Sequence, residues 1–223
     1  MQASIKPASA LTLKVLIFCA ALVPLARLAA GAALYPEWLG ANPAEYITRS
    51  TGDWTLRFLL LTLAVTPLRT LTGWHTLARF RRMLGLYAFL YGVLHLSSYL
   101  TFDHAFALSE IVKDIVKRPF ITVGFITLVL MVPLAVTSTN KMVRRLGAKR
   151  WMGLHRLVYV IAPLGVIHFW WMVKKDVTEP ALYAGVLAVL LGYRVAARLA
   201  ERRRVQRALP GTPNVTGASP QGT

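Results

Sequence analysis

Long apolar blocks, separated by short polar segments, run along most of the chain. Each block is roughly 18 to 22 residues long, close to the length that a helix needs to cross a hydrocarbon layer about 30 Å thick. The apolar residues fill the blocks instead of forming the one-sided stripe of a soluble helix. The pattern predicts an all-α integral membrane bundle of six transmembrane helices, at about 11–33, 54–71, 83–101, 119–137, 153–173 and 180–199.

The polar segments between the blocks differ in charge. Lysine and arginine concentrate in alternate segments, whereas the other segments carry both signs and all but one of the acidic residues. Since basic residues near span ends mark the cytoplasmic side, both termini are predicted to be cytoplasmic. The predicted organisation is a cytoplasmic N-terminus (1–10), a six-helix transmembrane domain (11–200) and a basic, disordered cytoplasmic tail (201–223).

Two outer segments and the first block add detail. Pro43 and Gly52 predict an outer loop over 38–54, and the segment 102–118 is predicted to be an outer loop that contains a short amphipathic helix. The first block admits two interpretations, a retained span or a cleaved signal peptide, because Lys14 precedes an apolar run that ends in small residues.

Composition supports a membrane protein and removes other classes. Hydrophobic residues make up 56% of the 223 residues and charged residues only 16%. The net charge of +17 would be typical of nucleic-acid binding. Its basic clusters alternate with apolar spans, however, so we expect no nucleic-acid partner and a contact with membrane lipid instead. A single cysteine excludes an internal disulfide.

Histidines are the candidates for chemistry in the spans. His75 and His104 fall in loops, where we expect solvated side chains, but His95, His155 and His168 fall in spans. A polar group in hydrocarbon needs a partner, either an interhelical hydrogen bond or a bound group. Three such histidines, with no acidic residue in any span core, favour a metal or cofactor.

The depth of these histidines selects a pair. His95 lies thirteen residues after Arg82, and His168 lies thirteen residues after His155. Thirteen helical residues cover roughly 20 Å, so His95 and His168 share a level near the outer face and His155 lies near the inner face. Two imidazoles on facing helices suit six-coordinate haem iron. We therefore predict a bis-histidine b-type haem with His95 and His168 as iron ligands; no CxxCH motif for covalent attachment occurs.

Two glycines accompany this pair. Gly92 and Gly165 each lie three residues before one of the outer histidines, on the same helical face. A missing side chain at these positions leaves a slot in which a flat macrocycle could lie, so both glycines are predicted to contribute to cofactor binding.

The role of His155 stays open. Pro163 permits a kink that would bring His155 and His168 toward one face, and a second or alternative haem ligand at the inner end is one interpretation. The facing helix, however, has Arg82 where a matching histidine would be needed. His155 could instead bind a flavin or quinone with the adjacent Arg156, bind a haem propionate, or serve only in packing.

Several blocks of the chain resemble one family. RRMLGLYAFLYGVLHLSSYL (81–100), KRPFITVGFITLVLMVPLAVTS (117–138), LGAKRWMGLHRLVYVIAPLGVIHFWWMVK (146–174) and TPLRTLTG (66–73) are similar to the MsrQ (YedZ) family. These are the haem-binding membrane subunits of bacterial periplasmic methionine sulfoxide reductase systems, within the wider ferric-reductase-like transmembrane group. The resemblance extends over about residues 10 to 200.

The resemblance implies a function that the residues alone do not give. It implies a multi-pass protein of the bacterial inner membrane with haem b and flavin mononucleotide (FMN), and matches the family's haem-associated histidines to His95, His155 and His168. Electrons would come from quinone or a cytosolic flavin reductase. They would pass to a periplasmic molybdopterin subunit, MsrP-like, that forms a heterodimer with this chain and reduces methionine sulfoxide in oxidised proteins.

Two other functions compete with this electron-transfer subunit, which would have no substrate chemistry of its own. A stand-alone ferric or quinone reductase would use an appended NAD(P)H/flavin domain, which the short segment after residue 200 does not provide. A transporter or structural subunit would need polar pairs along a path, and the spans contain few polar residues besides the histidines.

Overall fold

A computed structural model describes residues 7–208, and within this range every regular element is helical. Two short 3-10 helices, Pro36–Leu39 and His75–Arg79, precede the second and third long helices. The α-helices are α1 Pro7–Ala33, α2 Pro43–Thr72, α3 Arg81–Phe102, α4 Leu108–Lys117, α5 Pro119–Val136, α6 Asn140–Leu146, α7 Ala148–His155, α8 Val158–Met172 and α9 Thr178–Ala208.

Five helical segments of the described chain are long and apolar enough to cross a membrane: Leu11–Ala33, His75–Phe102, Pro119–Val136, Ala148–Met172 and Thr178–Arg207. The remaining predicted span lies in α2, which is long enough but less apolar and contains Arg57 and Arg69. Its residues Leu56 to Pro67 are largely buried among neighbouring helices. Much of the surface of α2 is therefore covered by protein instead of lipid. The all-helical membrane class is therefore confirmed, and the sixth crossing stays a prediction.

The predicted outer loop over 38–54 is wrong from residue 43 onward, because α2 already begins at Pro43. The side chain of Asn42 accepts a hydrogen bond from the backbone N–H of Glu45, and proline at the first helical position has no N–H to satisfy. The sequence Asn-Pro-Ala-Glu thus carried a helix-start signal. The correction matters because the added turns form one wall of the cavity described below.

Two more boundaries differ from the prediction. The inner connection 138–152 is not a plain loop, because most of it is helical in α6 and α7. The predicted disordered tail begins with helix, since α9 continues to Ala208. The remainder of that tail and residues 1–6 lie outside the described residues. The short amphipathic helix predicted within 102–118 is confirmed as α4.

The centre of the bundle consists of two helix pairs. α2 packs mainly against α3, and α5 packs mainly against α8, while α9 lies against α2 and α8. A cavity lies between the two pairs, toward the end at which α2 and α5 begin and α3 and α8 end. We call this the outer end, following the predicted orientation, and the opposite one the inner end.

At two of the prolines inside helices, side chains of neighbouring helices bond the adjacent backbone. Pro67 has no N–H for the carbonyl of Leu63, and Nη2 of Arg194 on α9 donates to that carbonyl instead. Beside Pro24 of α1, the Tyr91 hydroxyl accepts from the N–H of Leu25 (3.1 Å) and donates to the carbonyl of Ala21 (2.9 Å). These polar groups therefore hold α9 and α1 to the central pairs.

The helix that was predicted to carry both His155 and His168 is interrupted. α7 ends at His155 and α8 begins at Val158, so the break falls at Arg156 and Leu157. Pro163 lies inside the continuous helix α8. The two histidines therefore belong to different helices, and the break between these helices precedes Pro163.

Candidate functional site

The cavity between the helix pairs changes character along its depth. Its floor is lined by Leu59, Gly92, Leu128, Met131 and Gly165, which are apolar. Toward the outer end the lining becomes polar, with Thr48, Arg49, Asp53, Tyr99, Asp103 and Arg118. A molecule that fits this space has one apolar edge and one polar or charged edge.

His95 and His168 face each other across this cavity. One imidazole comes from α3 and the other from α8, one from each helix pair. The ring centres are 6.1 Å apart and the ring planes are inclined by 76°. The structure thus brings together the two histidines that the sequence placed at one level.

Each imidazole is held through the same nitrogen. Nδ1 of His95 lies 2.8 Å from the carbonyl oxygen of Thr48, and Nδ1 of His168 lies 2.6 Å from that of Phe120. Because a carbonyl oxygen can only accept, each Nδ1 carries the hydrogen. The Nε2 lone pair of each ring is left to bind a metal, the arrangement that fixes metal-ligating histidines elsewhere.

The distance between the rings suits one metal ion between them. A bond from a metal to an imidazole nitrogen is roughly 2 Å long, and the nitrogen lies roughly 1 Å from the ring centre, so two axial imidazoles place their centres about 6 Å apart. No group of three or more histidine, cysteine or acidic side chains that could hold an ion occurs in the described part of the chain. Two histidines are sufficient for haem iron, because the porphyrin supplies the other four ligands.

Two glycines that the sequence analysis missed lie against these rings. A Cβ on Gly124 would be 2.7 Å from Cε1 of His168, and a Cβ on Gly52 would be 3.1 Å from Cε1 of His95. Each glycine lies one helical turn after the carbonyl that accepts the Nδ1 hydrogen bond, Phe120 or Thr48. The absence of a side chain there lets the imidazole reach that carbonyl.

The two helix pairs therefore use the same device, a carbonyl followed four residues later by a glycine. A signal for it existed in the sequence, since Gly52 and Gly124 precede their histidines by 43 and 44 residues. That spacing has no meaning before α2 is known to pair with α3, and α5 with α8.

The predicted glycines lie deeper. Gly92 and Gly165 both line the cavity, but a Cβ on Gly92 would meet Cδ1 of Leu128 at 3.1 Å, and one on Gly165 would meet Cδ2 of Leu56 at 2.9 Å. Both contacts are to side chains of the opposite helix pair. These glycines thus let the pairs approach each other at the cavity floor, where leucine side chains occupy the space that they leave.

His155 lies at the inner end, away from the pair. Its Nε2 is 3.1 Å from the hydroxyl of Thr137, and its ring stacks on Trp151 with centres 3.9 Å apart. The adjacent Arg156 is exposed. Arg82, which occupies the position of a matching histidine, donates to the side chain of Asn140 at 2.6 Å. The structure brings no second imidazole to His155.

Of the two loop histidines, His75 is exposed as expected and His104 is not. His104 is not solvated, since its side chain is only 14% exposed and Nε2 lies 3.2 Å from the carboxylate of Asp114. It also packs edge-on against Tyr99. His75 begins the 3-10 helix before α3 and makes no contribution to the cavity lining.

Comparison with known proteins identifies the family. A family model described as "Ferric reductase like transmembrane component" matches residues 51–166. The matched range includes α3, α5 and most of α2 and α8; it contains His95 and ends two residues before His168.

Curated relatives are similar over nearly the whole chain. A protein from Herminiimonas arsenicoxydans is 55% identical over 202 residues, covering 90% of this chain and 91% of the relative. One from Ralstonia nicotianae is 54% identical over 87% of this chain and 90% of its own length. A third, from Xanthomonas euvesicatoria pv. vesicatoria, is 52% identical over 89% and 93%. All three are named "Protein-methionine-sulfoxide reductase heme-binding subunit MsrQ".

Proposed function

The chain belongs to the MsrQ family of haem-binding membrane subunits of protein-methionine-sulfoxide reductase, and from this premise we propose its role. It is a b-type cytochrome that passes electrons across the bacterial inner membrane to a periplasmic reductase subunit. The observation that carries the proposal is the imidazole pair of His95 and His168, 6.1 Å apart with both Nδ1 atoms bonded to carbonyls.

The pair favours electron transfer over substrate chemistry. Haem bound by two histidines has no open axial position for oxygen or substrate, and what it supplies is a reversible one-electron couple. The carbonyls of Thr48 and Phe120 hold the imidazoles in one orientation, and Leu56, Leu59 and Met131 exclude water from the cavity floor. Fixed ligands and a dry surrounding keep structural change small when the iron changes charge.

The proposal also covers the electron donor and the electron acceptor on either side of this site. We propose six crossings with both termini cytoplasmic, electrons from quinone or a cytosolic flavin reductase, and a heterodimer with a molybdopterin-containing, MsrP-like subunit in the periplasm. The position of the pair near the predicted outer end supports delivery on that side. Reductase activity toward methionine sulfoxide then belongs to the partner, and repair of oxidised periplasmic proteins to the complex.

A flavin at the inner end is the second part of the proposal. FMN carries an anionic phosphate. The inner end offers the half-buried Arg82, which lies within electrostatic reach of His155, and the exposed Arg156, which follows His155 in the chain. The test is direct: the protein, purified in detergent, is denatured, and the fluorescence of released flavin is measured against protein concentration. Absence of flavin in protein that retains haem would remove FMN from the proposal and leave the cytochrome assignment intact.

The decisive experiment concerns the haem itself. The protein, purified from haem-supplied cells, should give a reduced-minus-oxidised spectrum of a b-type cytochrome. If His95 and His168 both hold the iron with their rings inclined by 76°, the ferric form would give a low-spin, highly anisotropic electron paramagnetic resonance signal. A folded but colourless preparation, or a high-spin signal, would contradict the assignment.

A further inference from the structure

Two guanidinium groups at the outer end of the cavity are not explained by the histidine pair. Arg49 lies on α2, and Arg118 lies between α4 and α5, so they approach the cavity from different helix pairs. Both line the same cavity as His95 and His168. Charged side chains at a cavity that is apolar at its floor indicate that its ligand is charged at one edge only.

Haem b has this division, because its two propionate carboxylates lie on one edge of an otherwise apolar macrocycle. We propose that Arg49 and Arg118 bind the two propionates of the haem held by His95 and His168, and so direct the carboxylate edge to the outer end. The inference rests on the proposed function, since it requires that haem occupies this cavity.

Arg118 is already oriented by its neighbours. Its Nε forms an ion pair with Oδ1 of Asp114 at 2.7 Å. Oδ2 of Asp114 accepts a hydrogen bond from the Tyr99 hydroxyl at 2.8 Å and lies 3.2 Å from Nε2 of His104. The Asp114 side chain is only 12% exposed, unlike the carboxylate of an ordinary surface pair. Asp114 is therefore a positioning residue for Arg118.

The same network leaves the ligand-binding side of Arg118 free. Among the residues that the structure describes, the terminal nitrogens of its guanidinium have no hydrogen-bond partner. A planar guanidinium that uses Nε for an internal carboxylate keeps those nitrogens for a second carboxylate. A propionate at the cavity mouth would supply it.

Arg49 is held more loosely. It pairs with Glu45 one helical turn earlier, at 2.6 Å, and the side chains are 66% and 49% exposed. Exposed pairs of this kind contribute little to stability, so exchange of Glu45 for a propionate costs little. We expect Arg49 to contribute less than Arg118.

The acidic groups nearby make these arginines more necessary. Asp53 and Asp103 line the same end of the cavity and would repel a propionate. Asp53 also lies within electrostatic reach of Arg49 and Arg57, which balance part of its charge. Loss of Arg49 or Arg118 would therefore leave less positive charge at this end of the cavity to offset the repulsion between these carboxylates and the propionates.

The test compares haem b with its dimethyl ester, in which both carboxylates are neutral. Haem-free protein in detergent is titrated with each form, for the unmodified chain and for Arg118→Gln, Arg49→Gln and Lys113→Gln. Lys113 is the matched control, because it forms an exposed pair with Glu110 on the same helix as Asp114 but does not line the cavity.

We expect Arg118→Gln to weaken binding of haem b about tenfold or more, Arg49→Gln to weaken it less, and Lys113→Gln to leave it unchanged. With the dimethyl ester, the arginine variants should bind as the unmodified chain does. The midpoint potential with haem b should fall in the arginine variants, since a nearby cation favours the reduced, less positive iron. A merely structural role for Arg118 would not make the loss depend on the esterification of the propionates.

The outcomes separate this inference from the proposed function. If the unmodified chain binds neither form of haem, the proposed function fails. If it binds both forms equally well, and the arginine variants match Lys113→Gln, the cytochrome stands and the propionate assignment is overturned. The ester titration of the unmodified chain needs no substitution, so a variant that fails to fold leaves the test intact.

Discussion

His155 is the last residue of α7 and His168 lies near the end of α8, and their hydrogen bonds leave different ring nitrogens available. Nδ1 of His168 donates to a carbonyl, which leaves Nε2 for a metal. Nε2 of His155 lies 3.1 Å from the Thr137 hydroxyl, whose own hydrogen is directed to the carbonyl of Pro133 at 2.6 Å. The hydroxyl can therefore only accept from His155, and Nε2 of that ring carries the hydrogen.

The comparison shows why a histidine in a span does not by itself indicate a ligand. At the outer end, a carbonyl and a glycine fix the ring and a second imidazole faces it across a cavity. At the inner end, the same residue type stacks on Trp151 and forms hydrogen bonds within a helical connection. The group that accepts the hydrogen bond from the imidazole N–H decides which ring nitrogen is left for a metal. Only the tertiary structure supplies that group.

The largest expected effect tests this contrast with alanine. His95→Ala and His168→Ala should each leave less than about a tenth of the haem per polypeptide, because an axial ligand is lost. His155→Ala should retain most of the haem, because its ring has no facing imidazole. The measurement is the pyridine haemochrome content of detergent-purified protein, normalised to polypeptide.

His155→Ala is itself the matched control, since it removes an imidazole from the same segment. Haem retained in full by either outer variant would require a different ligand pair. Equal haem loss in all three variants would show that the inner histidine also binds haem and would remove the distinction between the two ends.

The second effect tests the glycine device of the outer end. Gly124→Ala places a Cβ 2.7 Å from Cε1 of His168, closer than non-bonded carbons approach, so the ring must move away from the carbonyl of Phe120. We expect roughly a tenfold to hundredfold loss of haem affinity, as for other changes that reorient a metal-bound histidine. Gly52→Ala should have a smaller effect, because its contact with His95 is 3.1 Å.

The control for this test is Gly185→Ala. Gly185 lies inside α9, two turns from its start, and a Cβ there meets no atom within 4 Å. This variant should bind haem normally and gain slightly in helix stability. If Gly124→Ala binds haem as Gly185→Ala does, the close packing of glycine against imidazole has no part in binding.

The two histidines of the outer end could be predicted from the sequence, but the glycines that pack against their rings could not. The depth of His95 and His168 followed from their distance to the span ends, because helical rise is fixed. Gly52 and Gly124 could not be assigned, because they act across a helix pair and their pairing partner is a tertiary property. Gly52 was further hidden by the late start predicted for α2, although Asn42 and Pro43 carried the start signal.

The inner end was less predictable for a different reason. The interruption at Arg156 and Leu157 has no glycine or proline of its own, and Pro163, which suggested a kink, lies within a continuous helix. The sequence pattern locates the polar side chains of the inner end but does not identify their hydrogen-bond partners. The depth of His155 was therefore available from the sequence, and its partner Thr137 was not.

A third prediction concerns the polar groups that stabilise the inner half without any cofactor. Arg194→Leu removes the donor to the Leu63 carbonyl, which Pro67 cannot satisfy within α2. An unsatisfied carbonyl of this kind costs roughly 1–3 kcal/mol, so the thermal unfolding temperature should fall while haem per polypeptide stays unchanged. Thermal unfolding in detergent, followed by circular dichroism, measures the first quantity.

A second substitution identifies the cause of that loss. Pro67→Ala restores an N–H for the Leu63 carbonyl, so Pro67→Ala combined with Arg194→Leu should be less destabilised than Arg194→Leu alone. Equal destabilisation of both variants would mean that Arg194 acts through another contact, such as its position over the ring of Tyr159.

The smallest expected effect distinguishes the two ends by hydrogen bonding alone. Thr137→Val keeps the shape of the side chain and removes the hydroxyl that accepts from Nε2 of His155. Loss of this hydrogen bond and of the one that the hydroxyl donates to the Pro133 carbonyl should reduce stability by about 1–2 kcal/mol. Haem content should not change, because no iron depends on the orientation of this ring. Haem content and thermal unfolding are measured together on one preparation. A loss of haem in Thr137→Val, with stability preserved, would indicate that His155 also binds haem. The contrast between His155 and His168 would then no longer hold.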